Sequence, residues 1–527
     1  MFKYRVINHW DNMDGSVERG YAGRSLFFKD GNIDYDAARV ESYAAYLGKI
    51  GVNQISLNNV NVNARSAKLI TDELLPDLAK LAAIFRKYGV QLLIAVEFSA
   101  PIGIGGLDTC DPLEPSVVAW WENQVKVVYE YIPDLAGFLV KADSEFRIGP
   151  MALGRTQADG ANVLARALKP FGGIVYWRCF VYNAQQDWRD TVTDRARAAY
   201  DNFKPLDGQF DDNVILQIKN GPVDFQVREP ISPLLGNMPN TREALELQIT
   251  QEYTGQQIDL FASAVMWDEV LNSPVNERET LSDICGDRIE ALVGVANAGD
   301  DAFLCGHPLA KANLYAFGAL GQNPKADAKS ILADWVRDEY GHDIPALTDM
   351  LLKSRSTFEK YCAPLGIGWF VQPGYHYGPS PDGYEFSQWG TYHKSTNTHI
   401  GVERGTAGTG FVSQYDPHLA KLYDDPATTP WELLLFFHRL PYTYVLPNGA
   451  TIIQHIYNTR FEGAAEVEGF IATWQSLADQ VPSDVYAEVT SRLNRQLENA
   501  NEWRDVLNTY FHRKTGIPDA PGRKIYE

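Results

Sequence analysis

Lys141, Glu145, Arg178, Lys219, Asp224 and Glu252 combine three cations with three carboxylates, and each stands at or a few residues beyond the end of a short apolar run. Carboxylates grouped without a companion set of histidines and cysteines suit hydrolysis of a glycosidic bond. One protonated acid gives its proton to the leaving oxygen, and a second carboxylate activates water or attacks the sugar. The cations point to an anionic substrate. A chain with formal net charge −20 repels anions at long range and must hold one through local, desolvated Lys and Arg. Trp10, Asp11 and Trp177 stand beside the same kind of run end. A single charge after a strand is ordinarily a solvated loop charge, whereas a succession of them marks a common rim. Two other chemistries draw on the same residues: a Schiff base on Lys141 or Lys219, as in a lyase or aldolase, and carbohydrate binding without catalysis.

The elements that must position these groups follow from pattern. Stretches 214–218 and 245–249 are short, aliphatic and set among Gly, Pro and Asn, as strands buried in a parallel sheet are. Lys219 and Asp224 follow the first, Glu252 the second. Further strands are expected at 4–9, 54–57, 92–96, 137–140, 173–176 and 292–295, with helical periodicity between them. At 36–49, for example, Ala37, Val40, Tyr43, Ala44 and Leu47 share one face. Eight strand and helix alternations predict an α/β fold, a closed (β/α)8 TIM barrel over residues 1–323, whose catalytic groups project from the C-terminal ends of its strands. No GxGxxG follows the first strand, which removes the usual sign of a doubly wound dinucleotide-binding sheet.

From residue 324 to 527 the pattern turns helical, at 328–340, 346–361, 431–439, 462–478 and 484–510, predicting an all-helical C-terminal domain. Within it a long loop, 366–415, opens on GIGWFVQPGYHYGPSPDGYEFSQWGTYH. It is too long and aromatic for an idle connection and is expected to reach the barrel mouth, where aromatic rings stack on sugars, the alternative being a packed surface loop.

Composition narrows the classes. Lys+Arg of 47 against Asp+Glu of 67, with no long basic run, makes nucleic acid an unsuitable partner. Five cysteines without a CxxC pair indicate neither a disulfide framework nor a zinc site, and the ten histidines show no ligand spacing, so no metal or cofactor is expected and the histidines read as core or surface residues. No stretch approaches membrane-spanning length and no signal-peptide pattern opens the chain, so a cytoplasmic location is expected.

The motifs INHWDNMDGSVERGYAG (7–23), LVKADSE (139–145), RTQADGANVLARAL (155–168), GGIVYWRCFVYNAQQDWRD (172–190), VILQIKNGPVDFQVREPISPL, LQITQEYTGQQ, APLGIGWFVQPGYHYGP, WGTYH and GRKIY run through essentially the whole chain. In them the sequence resembles glycoside hydrolase family 67, the xylan α-1,2-glucuronidases, without the β-rich domain that usually precedes the barrel. The resemblance implies an inverting hydrolase that releases (4-O-methyl-)D-glucuronic acid from the terminal xylose of acidic xylo-oligosaccharides. The family's general acid falls on Glu145 and its base pair on Asp224 and Glu252, with the choice between those two left open. Its uronate-binding residues fall on Lys141, Arg178 and Lys219, with Trp10 lining the same pocket. The neighbouring Phe146 is expected to raise the pKa of Glu145 by desolvation. Phe146, Arg147 and Ile148 depart from the Gly, polar residue and Pro common after the family's acid, which bears on the leaving group. A homodimer is expected through the C-terminal helices, from the resemblance and from the apolar content of 431–437 and 506–511.

Overall fold

Alternation along YRVINHWD puts Val6 and Trp10 on one face and Ile7 on the other, and in the computed structural model this stretch is strand β1, Tyr4–Asp11. The structure describes residues 1–180, 193–386 and 390–525. Residues 181–190 of the motif at 172–190, Trp389 of WGTYH and Tyr526 of GRKIY lie outside the described residues.

Seven further strands, β2 Gln54–Asn58, β3 Gln91–Val96, β4 Gly137–Val140, β5 Ile174–Arg178, β6 Val214–Lys219, β7 Arg242–Gln248 and β8 Ile289–Val295, pair in parallel with their sequence neighbours. β8 returns to β1 in register Tyr4↔Ala291, closing the expected barrel. Inward side chains such as Val6, Leu93, Leu139, Tyr176, Ile215 and Val293 fill its interior, and Tyr176 donates to Gln54 Oε1 across it at 2.7 Å. The outward set packs against the crossover helices. In α1, Ala37–Lys49, Asp36 caps the N-terminus by accepting from the Arg39 N–H at 3.0 Å, and Val40, Tyr43, Ala44 and Leu47 are buried.

One alternation fails. Segment 220–241, between β6 and β7, contains no helix. Its prolines, 222, 230, 233 and 239, deny a helix its amide donors and push each preceding residue out of the α region. Packing substitutes for the helix. Val223, Phe225 and Val227 join the core of the C-terminal region, Arg228 pairs with Glu359 at 2.6 Å, and the Tyr415 hydroxyl donates to the Ile231 carbonyl at 2.7 Å.

Helices α2, Ala328–Tyr340, α3, Pro345–Cys362, α4, Ile452–Gln475, and α5, Ser483–Thr515, dominate the C-terminal region. The helix expected at 431–439 shrinks to a 3-10 turn, Trp431–Leu433, and one further turn, Leu434–Phe437. A two-residue antiparallel ribbon, His399–Ile400 with Leu440–Pro441, interrupts the all-helical pattern. Leu434, Leu435, Phe436, Phe437, Leu507 and Phe511 are all buried in this region's own core. Most of the apolar content that motivated a homodimer packs within one chain, and Trp431, Leu433, Val506 and Tyr510 of the same two segments are half-buried. All five cysteines are buried and none is in a disulfide. Among the described residues no helix is long and apolar enough to cross a membrane.

Candidate active site

Lys141 directly follows β4, and the turn after it brings Glu145 back onto the Lys141 ammonium, which also donates to Asn61 Oδ1 at 2.9 Å. The turn is sharp: Asp143, Glu145 and Phe146 have φ of 50°, 50° and 66°, a region non-glycine residues enter only when surroundings fix them. Two anchors do so here. The Asp143 carboxylate accepts from the Met151 N–H at 3.0 Å and the Gln157 amide at 2.8 Å, and Arg147 reaches the Val62 carbonyl at 2.8 Å and the Glu97 carboxylate. Gly149 is required where the chain passes Asp143, since a Cβ there would lie 2.4 Å from its carboxylate.

Arg178 ends β5, and its guanidinium grips Glu246 of β7 at 2.6 and 3.1 Å, both side chains almost wholly buried. Glu246 is a site residue that the apolar-run reading missed. Its signal was an acid inside a buried strand, which must be either paired with a cation or otherwise hydrogen-bonded. Lys219, the last residue of β6, contacts Asp224, whose other oxygen accepts from the Tyr253 hydroxyl at 3.1 Å. Phe180 lies among the cations, its ring centroid 3.4 Å from Lys219 Nζ, 5.2 Å from Lys141 Nζ and 5.5 Å from the Arg178 guanidinium.

Glu252 lies four residues beyond β7 and is held on both oxygens. Arg19 Nε and His376 Nδ1 approach Oε1 at 2.8 and 2.9 Å, and Gln248 donates to Oε2 at 2.8 Å. His376 comes from the aromatic loop, so one of the ten histidines does reach the site. Trp369 of the same loop stacks on Tyr253 at 4.3 Å. Arg19 sits within the motif at 7–23 but carried no individual signal.

Lys141, Glu145, Arg178, Lys219, Asp224, Glu252 and Trp10 thus line one cavity of about 240 Å³ at the C-terminal end of the barrel, smaller than the roughly 300–1,000 Å³ of pockets for drug-sized ligands and suited to one sugar ring. Trp10 lies 5.5 Å from the Arg178 guanidinium. Asp11 and Trp177 do not join them. Strand alternation turns Trp177 outward to donate to Gln157 at 2.8 Å, and Asp11 is buried between His9 and Ser25.

The electrostatics correct one expectation. Phe146 is 81% exposed and cannot desolvate its neighbour. Burial does push the Glu145 carboxyl up, but the Lys141 ammonium outweighs it and leaves the group below the ordinary carboxylate range. Asp224 follows the same balance, burial raising and Lys219 lowering it, with a lowered outcome. Burial lowers Lys141 despite Glu145, whereas for Arg178 the pairing with Glu246 overcomes burial and raises it. The cavity therefore presents two ionised carboxylates, Glu145 beyond β4 and Asp224 beyond β6, each against a lysine. Among the described residues no group of His, Cys, Asp or Glu is arranged to hold a metal ion.

Known proteins resemble this chain over nearly its whole length. The model of the glycosyl hydrolase family 67 middle domain matches residues 1–303, and that of the family 67 C-terminus matches residues 305–524. A probable alpha-glucuronidase A of Aspergillus flavus is 44% identical over 532 residues, covering 98% of this chain and 63% of the relative. Alpha-glucuronidase A of Aspergillus tubingensis is 43% identical over 535 residues, again covering 98% of this chain and 63% of the relative. The chain spans 63% of the length of these curated relatives.

Proposed function

Because the chain belongs to glycoside hydrolase family 67, we propose that it is an inverting hydrolase releasing (4-O-methyl-)D-glucuronic acid α-1,2-linked to the terminal xylose of xylo-oligosaccharides, as in xylan degradation. The observation that carries this reading is one cavity lined by Glu145 against Lys141 beyond β4, the acid wall, and by Asp224 and Glu252 beyond β6 and β7, the base wall. Glu145 protonates the leaving xylosyl oxygen. Asp224 and Glu252 act as a unit that holds and deprotonates the attacking water. Lys141 and Lys219 take the uronate carboxylate, and Arg178, which lines the same cavity and is already matched by Glu246, adds its charge.

The lowered pKa of Glu145 fits this role through the substrate itself. In the free protein Lys141 keeps Glu145 ionised. A uronate carboxylate competes for that ammonium, and as the contact weakens burial governs, so Glu145 takes up the proton it must deliver. A neutral glucosyl analogue leaves the Lys141 pair intact and the acid unarmed. The Schiff-base alternative draws on Lys141 or Lys219, and the pairing of these ammoniums with Glu145 and Asp224 stands against it. Five buried thiols outside any disulfide support a reducing, cytoplasmic setting.

Aldouronic acids incubated with the protein and followed by NMR test the reading. β-Glucuronate as the first product is expected. α-Glucuronate would overturn inversion, and no released uronate would overturn the hydrolase.

A further inference from the structure

Asp224 sits on the one crossover that has no helix, so something else must fix the backbone beneath it. Neither of its own contacts does this: Lys219 and Tyr253 touch its carboxylate, not its main chain. Five residues on, Glu229 turns its side chain back under the loop. Its Oε2 accepts from the Val223 N–H at 2.9 Å and its Oε1 from the Gln226 N–H at 3.0 Å, one amide on each side of Asp224. Between those amides Phe225 has φ of 53°, a conformation that needs external support. The approach is close enough to dictate a second residue, because a Cβ on Gly221 would lie 2.0 Å from the Glu229 carboxyl carbon.

We propose that Glu229 is a positioning residue for catalysis, fixing the Val223 and Gln226 amides so that the Asp224 carboxylate stays aimed into the cavity, with Gly221 providing the room. The inference rests on the reading of Asp224 as part of the base pair. When the carboxylate is ionised, its charge-assisted bonds from two amides hold a loop more firmly than neutral ones. Their retention here is costly in another respect: burial pushes the Glu229 carboxyl up to about 7, with the two amides opposing and Asp224 adding to the rise. A residue needed only to fill space would avoid that penalty with an apolar side chain. Glu229 does not line the cavity, so its influence on turnover passes through Asp224.

The test compares the full chain with Glu229→Gln and Gly221→Ala on an aldouronic acid and on an aryl glucuronide with a good leaving group. The isosteric amide can accept from one N–H but must turn its own NH2 toward the other. Gly221→Ala keeps the carboxylate and displaces it. Both should lower kcat about 10- to 100-fold, the scale of a 1 Å misplacement, with KM within about twofold and equal losses on the two substrates. Equal losses are the mark of the base wall, since a fault in proton donation is relieved by the better leaving group. Unchanged kcat in a folded variant, or losses that fall mainly on KM, would overturn the proposal. If Glu229→Gln does not fold, Gly221→Ala alone decides it. Failure of the unsubstituted chain to hydrolyse either substrate would sink the proposed function instead, which keeps the two failures distinct.

Discussion

The two walls of the cavity hold their carboxylates in opposite ways. Glu145 rides a turn braced from within the barrel by Asp143 and by Arg147 on Glu97, its side chain 46% exposed and paired with one cation. Glu252 is 7% exposed and has three partners, and Asp224 stands on a crossover clamped by the C-terminal region through Arg228 with Glu359 and Tyr415 with Ile231. On the roles proposed above, the group that gives up a proton to each substrate is held by a contact the substrate can compete for, and the groups that must stay aimed are buried among fixed donors. The helical region is thus a working part of the base wall, and the acid wall needs only the barrel.

Removing one carboxylate from each wall should separate them most sharply. Glu145→Gln is expected to lose about 10²- to 10⁴-fold in kcat on an aldouronic acid and much less on an aryl glucuronide with a good leaving group. Asp224→Asn and Glu252→Gln should lose by similar factors on both substrates. Steady-state kinetics on the two substrates decide, and equal losses for Glu145→Gln would break the assignment of the acid to that wall.

The same contrast governs what could be read from sequence. Lys141, Arg178 and Lys219 were legible because each directly ends an apolar strand run, where barrel geometry aims side chains at the mouth. Glu246 was hidden inside such a run, since reading strands by apolar content treats an interior acid as noise rather than as half of a buried pair. His376 and Arg19 reach Glu252 from 124 and 233 residues away in sequence, a closeness only the fold creates. The missing helix at 220–241 was announced by its prolines, but the count of alternations overrode them. Phe146 is apolar without being buried, because the strained turn throws its ring into solvent.

Buried carboxylates set a pH dependence that also favours the base wall as the weaker side at high pH. Glu243, which accepts from the Gly236 and Met238 amides at the end of crossover 220–241, is pushed up to about 8 by burial. Asp259, which joins Tyr361, Tyr377 and Asn499, is pushed up to about 7. Each binds a proton in the folded state that the unfolded chain has already released, so stability falls as pH rises from about 4 toward 8. At about 1.4 kcal/mol per pKa unit the two shifts would total roughly 9 kcal/mol, and local relaxation should reduce the fall to a few kcal/mol. Thermal unfolding midpoints should be higher at pH 5.5 than at pH 8.0, with Glu243→Gln flattening the difference. A midpoint that rises with pH would contradict this. On the acid wall, Lys141→Met should cost about 30-fold in kcat/KM on the uronate through loss of a charge-assisted contact. It should also move the alkaline limb of the pH profile upward, because Glu145 no longer has the ammonium that lowers its pKa. An unmoved limb would show that Lys141 does not control the acid.

The smallest effect probes the clamp itself. Tyr415→Phe deletes one hydroxyl whose bond to the Ile231 carbonyl is 2.7 Å long, on a side chain 7% exposed, and leaves that carbonyl without its donor. The expected cost is about 1 kcal/mol. That is too little to unfold the chain, but if it is felt locally it corresponds to roughly a fivefold change in an opening equilibrium. Hydrogen exchange followed by mass spectrometry should therefore show amides of 220–241 exchanging several-fold faster, with those of the acid turn, 141–151, unchanged. The difference arises because the acid turn draws its anchors, Glu97, Val62 and Gln157, from the barrel and none from the helical region. Faster exchange in both segments would mean that the two walls share one support, and the contrast between them would collapse.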